Sequence, residues 1–369
     1  MKIAQIAPLA ERCPPHLYGG TERIVSYLTE ELVRQGHEVT LFASGDSLTR
    51  ARLVRCTDMA LRLNPAVSDA LPYHVAMLEQ VRQRAREFDV LHFHIDLLHF
   101  PLVRSLACPS LTTLHGRLDL PDLWPFYAAF NDVPLVSISD AQREPMPPVN
   151  WVGTVAHGLP PTLLPFSAAP RGGYLAFLGR ISPEKRPDRA IEIAARAGLP
   201  LKIAAKIDGA DEEYWRTVIE PMVRSHPNVE FLGEIGEREK AAFLGDALAL
   251  LFPIDWPEPF GLVMIEAMAC GTPVIAWRCG SVPEVVEDGV SGLIVGSVDE
   301  AVDAVRRVGA LDRAQVRARF EARFTAERMA RDYLEIYHLL ADVHREVRQE
   351  RRYAPMRARA AAANAAYLA

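Results

Sequence analysis

Two carboxylates eight residues apart, Glu258 and Glu266, offer the most chemistry in this chain; they bracket the segment Glu258-Pro-Phe-Gly-Leu-Val-Met-Ile-Glu266. An apolar run at 248–252 precedes them and Pro259 suits a first helical turn, so a strand is expected to run into a helix over 260–269. Glu258 would accept hydrogen bonds from sugar hydroxyls at the helix start, and Glu266 could accept from two hydroxyls of a ribose. The helix N-terminus would hold a phosphate. The plainer alternative makes Glu258 an electrostatic cap and Glu266 a surface residue. Against it, Val263, Met264, Ala267 and Met268 surround Glu266 with apolar neighbours, and a buried glutamate needs a partner.

Three other segments could join them. Phe177-Leu-Gly-Arg-Ile-Ser-Pro-Glu-Lys185 ends a strand at Gly179 and offers two cations, the forked donors of Arg180 and the point charge of Lys185, that suit a diphosphate. A solvated loop with Glu184 paired to a neighbour is the equal alternative. Leu17-Tyr-Gly-Gly-Thr-Glu22 places Gly19 and Gly20 before a helix with Thr21 as a plausible N-cap, so a phosphate could approach, although a capped turn explains the same residues. Leu111-Thr-Thr-Leu-His115-Gly116 ends a strand in a histidine that could bind a sugar hydroxyl, act as acid or base, or sit in the core. His92-Phe-His94-Ile-Asp96 has alternating residues on one strand face, but no third metal ligand is placed by the sequence, and a structural or substrate-contact role is favoured over chelation.

These segments need strands that end in loops. Strands are expected at 2–7, 38–43, 90–94, 110–114 and 134–138, with helices at Thr21 to Gln35 and His74 to Glu87. Residues 157–173 are rich in Pro and Gly and mark a domain boundary. The pattern then restarts, with strands at 174–178, 201–206, 229–232, 248–252 and 273–277 and helices at 187–197, 211–225, 237–245 and 260–269. A long helical stretch, 312–350, follows, and the Ala- and Arg-rich tail after Tyr353 is expected to fray. The fold class is α/β, with two Rossmann-like domains facing a cleft where ligands bind at the carboxyl ends of strands. The divisions are 1–165, 166–325 and 326–369.

The 369 residues suit two domains, and a net charge of −6 supplies no field for nucleic acid or an anionic membrane. Five cysteines without a C-x-x-C pair suggest neither a disulfide framework nor a zinc site, and a cytoplasmic location fits them. The first residues read as a strand rather than a signal peptide, and no apolar run approaches a membrane span. Peripheral membrane contact is left open.

With these residues in view, the chain resembles the family-4 retaining glycosyltransferases, which have the GT-B architecture. The likeness rests on Gly19-Gly20, His115-Gly116, Val136-Ser-Ile-Ser139, Gly179-Arg180 with Glu184-Lys185, and above all Glu258 through Gly271, which matches the family's E-x7-E signature. The resemblance implies a nucleotide-sugar donor, most commonly a UDP-hexose, a hydroxyl acceptor, and retention of anomeric configuration with neither metal nor cofactor. Arg180 and Lys185 would bind the diphosphate, and Glu266 the ribose. Glu258 with the amides of Phe260, Gly261 and Leu262 would contact the sugar and the distal phosphate. His115 would meet the sugar from the N-terminal domain, Gly20 would line the same space, and Gly233 and Ile235 would receive the base. Tyr18 and Ser139 are expected on the acceptor side, where loop 9–18 and the aromatic segment 116–133 either shape the site or fill core. The final helix would cross back to the N-terminal domain. One departure is Ala205-Lys206-Ile-Asp208, where many members have Gly-x-Gly. A nucleotide-sugar-binding protein, a sugar phosphorylase or an epimerase remain the alternatives; a dehydrogenase is disfavoured because the first loop lacks G-x-G-x-x-G.

Overall fold

The computed structural model describes every residue except Tyr18, Leu63 and Ala369, with side chains described through residue 349. Two wholly parallel sheets organise it. The first contains β1 (Lys2–Ile6), β2 (Glu38–Ser44), β3 (Arg52–Thr57), β4 (Val90–Phe93), β5 (Ser110–Thr113), β6 (Leu135–Ser137) and β7 (Trp151–Thr154), in the order β3-β2-β1-β4-β5-β6-β7. The second contains β8 (Leu175–Arg180), β9 (Leu201–Lys206), β10 (Val229–Gly233), β11 (Ala249–Phe252), β12 (Val274–Trp277) and β13 (Gly292–Val295), in the order β10-β9-β8-β11-β12-β13. Helices cover both faces, so central strands such as Val90–Phe93 and Ala249–Phe252 are buried throughout and read as continuous apolar runs.

Strand order reverses between β1 and β4 in one sheet and between β8 and β11 in the other. Loops leaving those strands diverge and open a crevice, the usual ligand position in such sheets. The loops after β1, β8 and β11 carry Gly19-Gly20, Lys185 and Glu258 respectively. The two sequence segments that join the domains lie against each other: Leu159 N–H donates to Phe324 O (2.9 Å) and Ala326 N–H to Leu159 O (2.9 Å). From there the helix Ala326–Leu368 returns across the N-terminal domain, burying Tyr333 and Tyr337.

Several expectations need correction. Strands β3, β7 and β13 are additional; all three are sheet edges. The helix after Gly19 begins at Gly20 with no side-chain cap, so Thr21 is not its N-cap; Gly19, at φ 145°, makes the turn instead. The helix expected at 260–269 spans Leu262–Ala269, because Gly261 turns the chain at φ 76°; Pro259 therefore lies before the helix and outside its first turn. The helical segment after β9 contains a π turn at Trp215–Ile219 just before Pro221, whose missing N–H breaks the regular ladder. Residues 312–350 divide into helices Arg313–Arg323 and Ala326–Leu368, and the backbone beyond Tyr353 is helical to Leu368. In the aromatic segment, Tyr127 is buried and Phe126 and Phe130 pack on Phe100, leaving Trp124 exposed, so the segment is chiefly core.

Candidate active site

Both domains line one cavity of about 680 Å³. From the C-terminal domain, Gly179 and Arg180 enter it at the very end of β8, within the strand rather than on the following loop. Arg180 is ion-paired with Glu184 and lies 3.7 Å from Asp208 and 3.5 Å from Asp211. Lys206, in the departed Gly-x-Gly position, also lines the cavity and pairs with Asp208. The turn Pro183–Lys185 then presents Lys185, whose ammonium is ion-paired with Glu258 and sits 4.8 Å from the Trp256 ring centre. Glu258 also accepts from Trp256 Nε1 (3.1 Å) and is 9% exposed.

The Lys185 turn is fastened from below. Arg186, next in sequence, takes φ 55°, a strained conformation for a residue with a Cβ. Asp255 holds it there: its carboxylate meets Arg186 at 2.8 Å and Arg189 at 3.1 Å, and its N–H donates to Glu184 O at 2.8 Å. Ser281 N–H donates to Glu258 O at 3.0 Å, joining the loop after β12 to the same structure.

Glu266 is buried at 2% exposure, and its partner is Lys240, 2.7 Å away on the helix Glu237–Gly245. That pairing removes the surface-residue alternative. Phe260, Gly261, Leu262 and Ile235 line the cavity; Gly233, at φ 75°, supports the turn into Glu234 and Ile235 without lining it.

The N-terminal domain contributes Gly20, His115, Glu11 from loop 9–18 and, unanticipated from sequence, His157, Arg23, Glu22 and Arg62. Gly20 lies so close to the start of the opposite helix that a Cβ there would sit 3.4 Å from Leu262 Cδ1, so two helix N-termini converge on the cavity. Each carries unpaired amides and partial positive charge, which favours an anion between them. Arg23 spans the cleft to Glu237. His115 and His157 stack at 5.3 Å, and burial pushes the His115 imidazole down to about 3. Ser139 lies behind the cavity, its Oγ donating to Pro259 O at 2.6 Å across the domain junction. Tyr18 lies outside the described residues. Among the described residues, no group of three His, Cys, Asp or Glu is arranged to hold a metal ion, and the His92/His94 pair is engaged in hydrogen bonds.

Lys240 and Arg23 escaped the sequence reading because each acts through a contact between elements distant in sequence. A Glu237-x-x-Lys240 helix start beside a strand gives no cue that its lysine reaches a glutamate 26 residues later.

Glu22 yields a pH prediction. Burial, with Glu11 adding repulsion, raises its carboxyl from 4.5 to about 7, although hydrogen bonding from the Glu11 amide and the Arg62 charge oppose the shift. A folded-state pKa above the unfolded one contributes stability fully present below 4.5 and lost as pH rises through 7. Glu22→Gln keeps the acceptor oxygen and removes the titration. Its stability relative to the parent should therefore grow from near zero at acid pH to about 3 kcal/mol above neutrality. Urea unfolding of both proteins at pH 5 and pH 8 measures this, and an equal gap at the two pH values would refute it.

Residues 167–323 match the family described as Glycosyl transferases group 1, and residues 18–138 match Glycosyltransferase Family 4. A curated relative, D-inositol 3-phosphate glycosyltransferase of Mycobacterium tuberculosis, is 32% identical over 41% of this chain. That alignment spans 33% of the relative, about a third of its length. Among solved structures, sucrose-phosphate synthase from Thermosynechococcus elongatus superposes with a TM-score of 0.77 at 21% identity, covering 93% of this chain and 100% of that one. HepE of Anabaena in complex with UDP gives 0.70 at 16% identity, covering 91% and 99%. At these identities the structural likeness speaks for the fold. With the two family matches covering the cleft-forming parts of both domains, the chain belongs to the family-4 glycosyltransferases of the GT-B fold.

Proposed function

We propose that the protein transfers a hexosyl group from a nucleoside diphosphate sugar, a UDP-sugar foremost, to a hydroxyl of an acceptor, with retention of configuration and without a metal ion. The observation that carries this reading is the convergence on one cavity of Arg180, Lys185 and two helix N-termini, a surround built for a diphosphate, with the buried Glu266 beside it for a ribose. UDP in the HepE complex accords with it, as that protein's own ligand.

In the proposed reaction the bond from the anomeric carbon to the diphosphate oxygen breaks while the acceptor oxygen bonds to the same face of that carbon. The acceptor proton passes to the departing diphosphate, giving a glycoside and a nucleoside diphosphate. Arg180, Lys185 and the amides at Leu262 stabilise the charge that grows on the leaving group, an arrangement already oriented before reaction. Glu258 serves the sugar hydroxyls and holds Lys185 in place. The N-terminal face, with Glu11, Glu22 and Arg62, receives the acceptor.

A thermal-shift series with UDP-, GDP- and ADP-sugars tests donor choice: a donor at a hundred times its Kd adds about 2.7 kcal/mol to the folded state. UDP release with candidate acceptors then separates turnover from the alternative of binding alone. No shift with any of the three families of donor would sink the proposal. Glu266→Gln weakens ribose binding in ground and transition states alike and should raise donor KM roughly tenfold with kcat nearly kept. Initial rates across donor concentration measure it; a fall confined to kcat would exclude the ribose role.

A further inference from the structure

Six buried polar side chains behind the cavity form one hydrogen-bonded path that begins at His115. His115 Nε2 meets His94 Nδ1 at 2.8 Å, and His94 Nε2 meets Gln5 Oε1 at 2.8 Å. Gln5 Nε2 donates to the Tyr337 hydroxyl at 3.0 Å, which meets His92 Nδ1 at 2.7 Å. His92 Nε2 continues to Thr113 Oγ1 at 2.7 Å, and Thr113 Oγ1 to the Tyr333 hydroxyl at 2.9 Å. None of these six lines the cavity, and the mechanism above uses none of them. Two of them, Tyr333 and Tyr337, belong to the return helix.

Burial keeps His92, His94 and His115 neutral at physiological pH, so each ring carries one N–H and one lone pair. An amide oxygen only accepts. His94 therefore donates from Nε2 to Gln5, leaves Nδ1 as a lone pair, and takes the Nε2–H of His115. What remains on His115 is a lone pair at Nδ1, a buried atom with no hydrogen-bond partner among the described residues. Turning the Gln5 amide over would reverse every donor on the path and leave an unpaired N–H at that same atom, and orphaned buried N–H groups are the rarer case. The Tyr337 hydroxyl can meet either end of the Gln5 amide, accepting from Nε2 or donating to Oε1, so the His115 end of the path decides the direction.

We propose that His94 is a positioning residue which, through Gln5 and Tyr337, holds His115 in its Nε2–H tautomer, so that Nδ1 is an acceptor for a hydroxyl of the transferred sugar. This rests on the function proposed above for the cavity. It also gives the return helix a task at the site, since its Tyr337 hydroxyl anchors the far end of the Gln5 amide. A sugar hydroxyl must then approach as a donor, at one place, with the ring held by Glu258 from the opposite domain.

The test uses the full chain labelled with 15N-histidine at neutral pH. His115 is expected to carry its proton on Nε2 in the parent protein, and to become a mixture of tautomers in His94→Phe and in the volume-conserving Tyr337→Phe. His94→Asn, whose amide oxygen can stand near the place of Nδ1, should restore the Nε2–H form. With UDP-glucose as the probe, His94→Phe should lose roughly ten- to a hundredfold in kcat with less effect on donor KM, and His94→Asn should recover most of it. A proton on Nδ1 in the parent, or a His115 tautomer unchanged in both Phe variants, overturns the proposal. A fixed Nε2–H tautomer in a protein that turns over no nucleotide sugar overturns the donor-site reading instead, while the path keeps its hold on His115.

Discussion

Lys185→Ala is expected to lower nucleotide-sugar turnover by roughly 10²–10³, the loss typical of removing one preorganised group from a developing anion. Arg180→Ala should behave similarly, and neither should disturb the fold, since both side chains emerge at the cleft rather than in a core. Without ligand each cation rests on carboxylates: Lys185 on Glu258, Arg180 on Glu184 with Asp208 and Asp211 nearby. Those acidic partners hold the cations in position and keep them from being buried unpaired, at the cost of some affinity for the incoming diphosphate. Lys185→Arg should rescue poorly, because a planar fork cannot take the place of a compact ammonium between the Glu258 carboxylate and the Trp256 ring. Single-turnover rates together with circular dichroism decide it; near-normal turnover in both alanine variants would remove the diphosphate role.

Much of this site was legible because parallel strands buried on both faces leave continuous apolar runs, and the residues that follow them fall at the cleft by topology alone. The run at 249–252 followed by Glu258, and the run at 175–178 followed by Arg180 and Lys185, are of that kind. Sheet edges were harder. Arg52–Thr57 mixes arginines with apolar residues because one side of an edge strand meets solvent, and Trp151–Thr154 and Gly292–Val295 each contain a glycine, a residue depleted in strands. Helix starts also escaped, for a different reason: Gly19 and Gly261 adopt positive φ, and the sequence does not say which glycine turns the chain. A threonine beside Gly20 reads as a cap, and a proline before Phe260 reads as a first turn, yet in both places the backbone turns at glycine. Lys240 was hidden because nothing in a sequence fixes the rotation of one helix against another.

Gly280→Ala should damage the site as severely as losing a charged group, although Gly280 touches no ligand position itself. Its φ of 53° lies where a side chain is strained, and a Cβ there would come within 2.5 Å of the Glu258 carbonyl oxygen, with the Glu258 N and the Pro257 carbonyl carbon crowded alongside. These neighbours are backbone, so no rotamer change relieves the contact, and the loop Asp255–Gly261 must move instead. Ser281 N–H, bonded to that same carbonyl, would be pulled away with it. Glu258 is displaced, Lys185 loses its anchor, and the Leu262 amides move relative to both. Since a shift of about 1 Å at a reacting group can cost roughly a hundredfold, kcat/KM should fall by about that factor. Stability should fall by only about 1–3 kcal/mol, the cost of one strained residue. The two readouts separate the explanations: a protein that melts well below the parent at full specific activity would mean that the glycine serves the fold, whereas lost turnover in a protein still folded at assay temperature assigns it to holding Glu258.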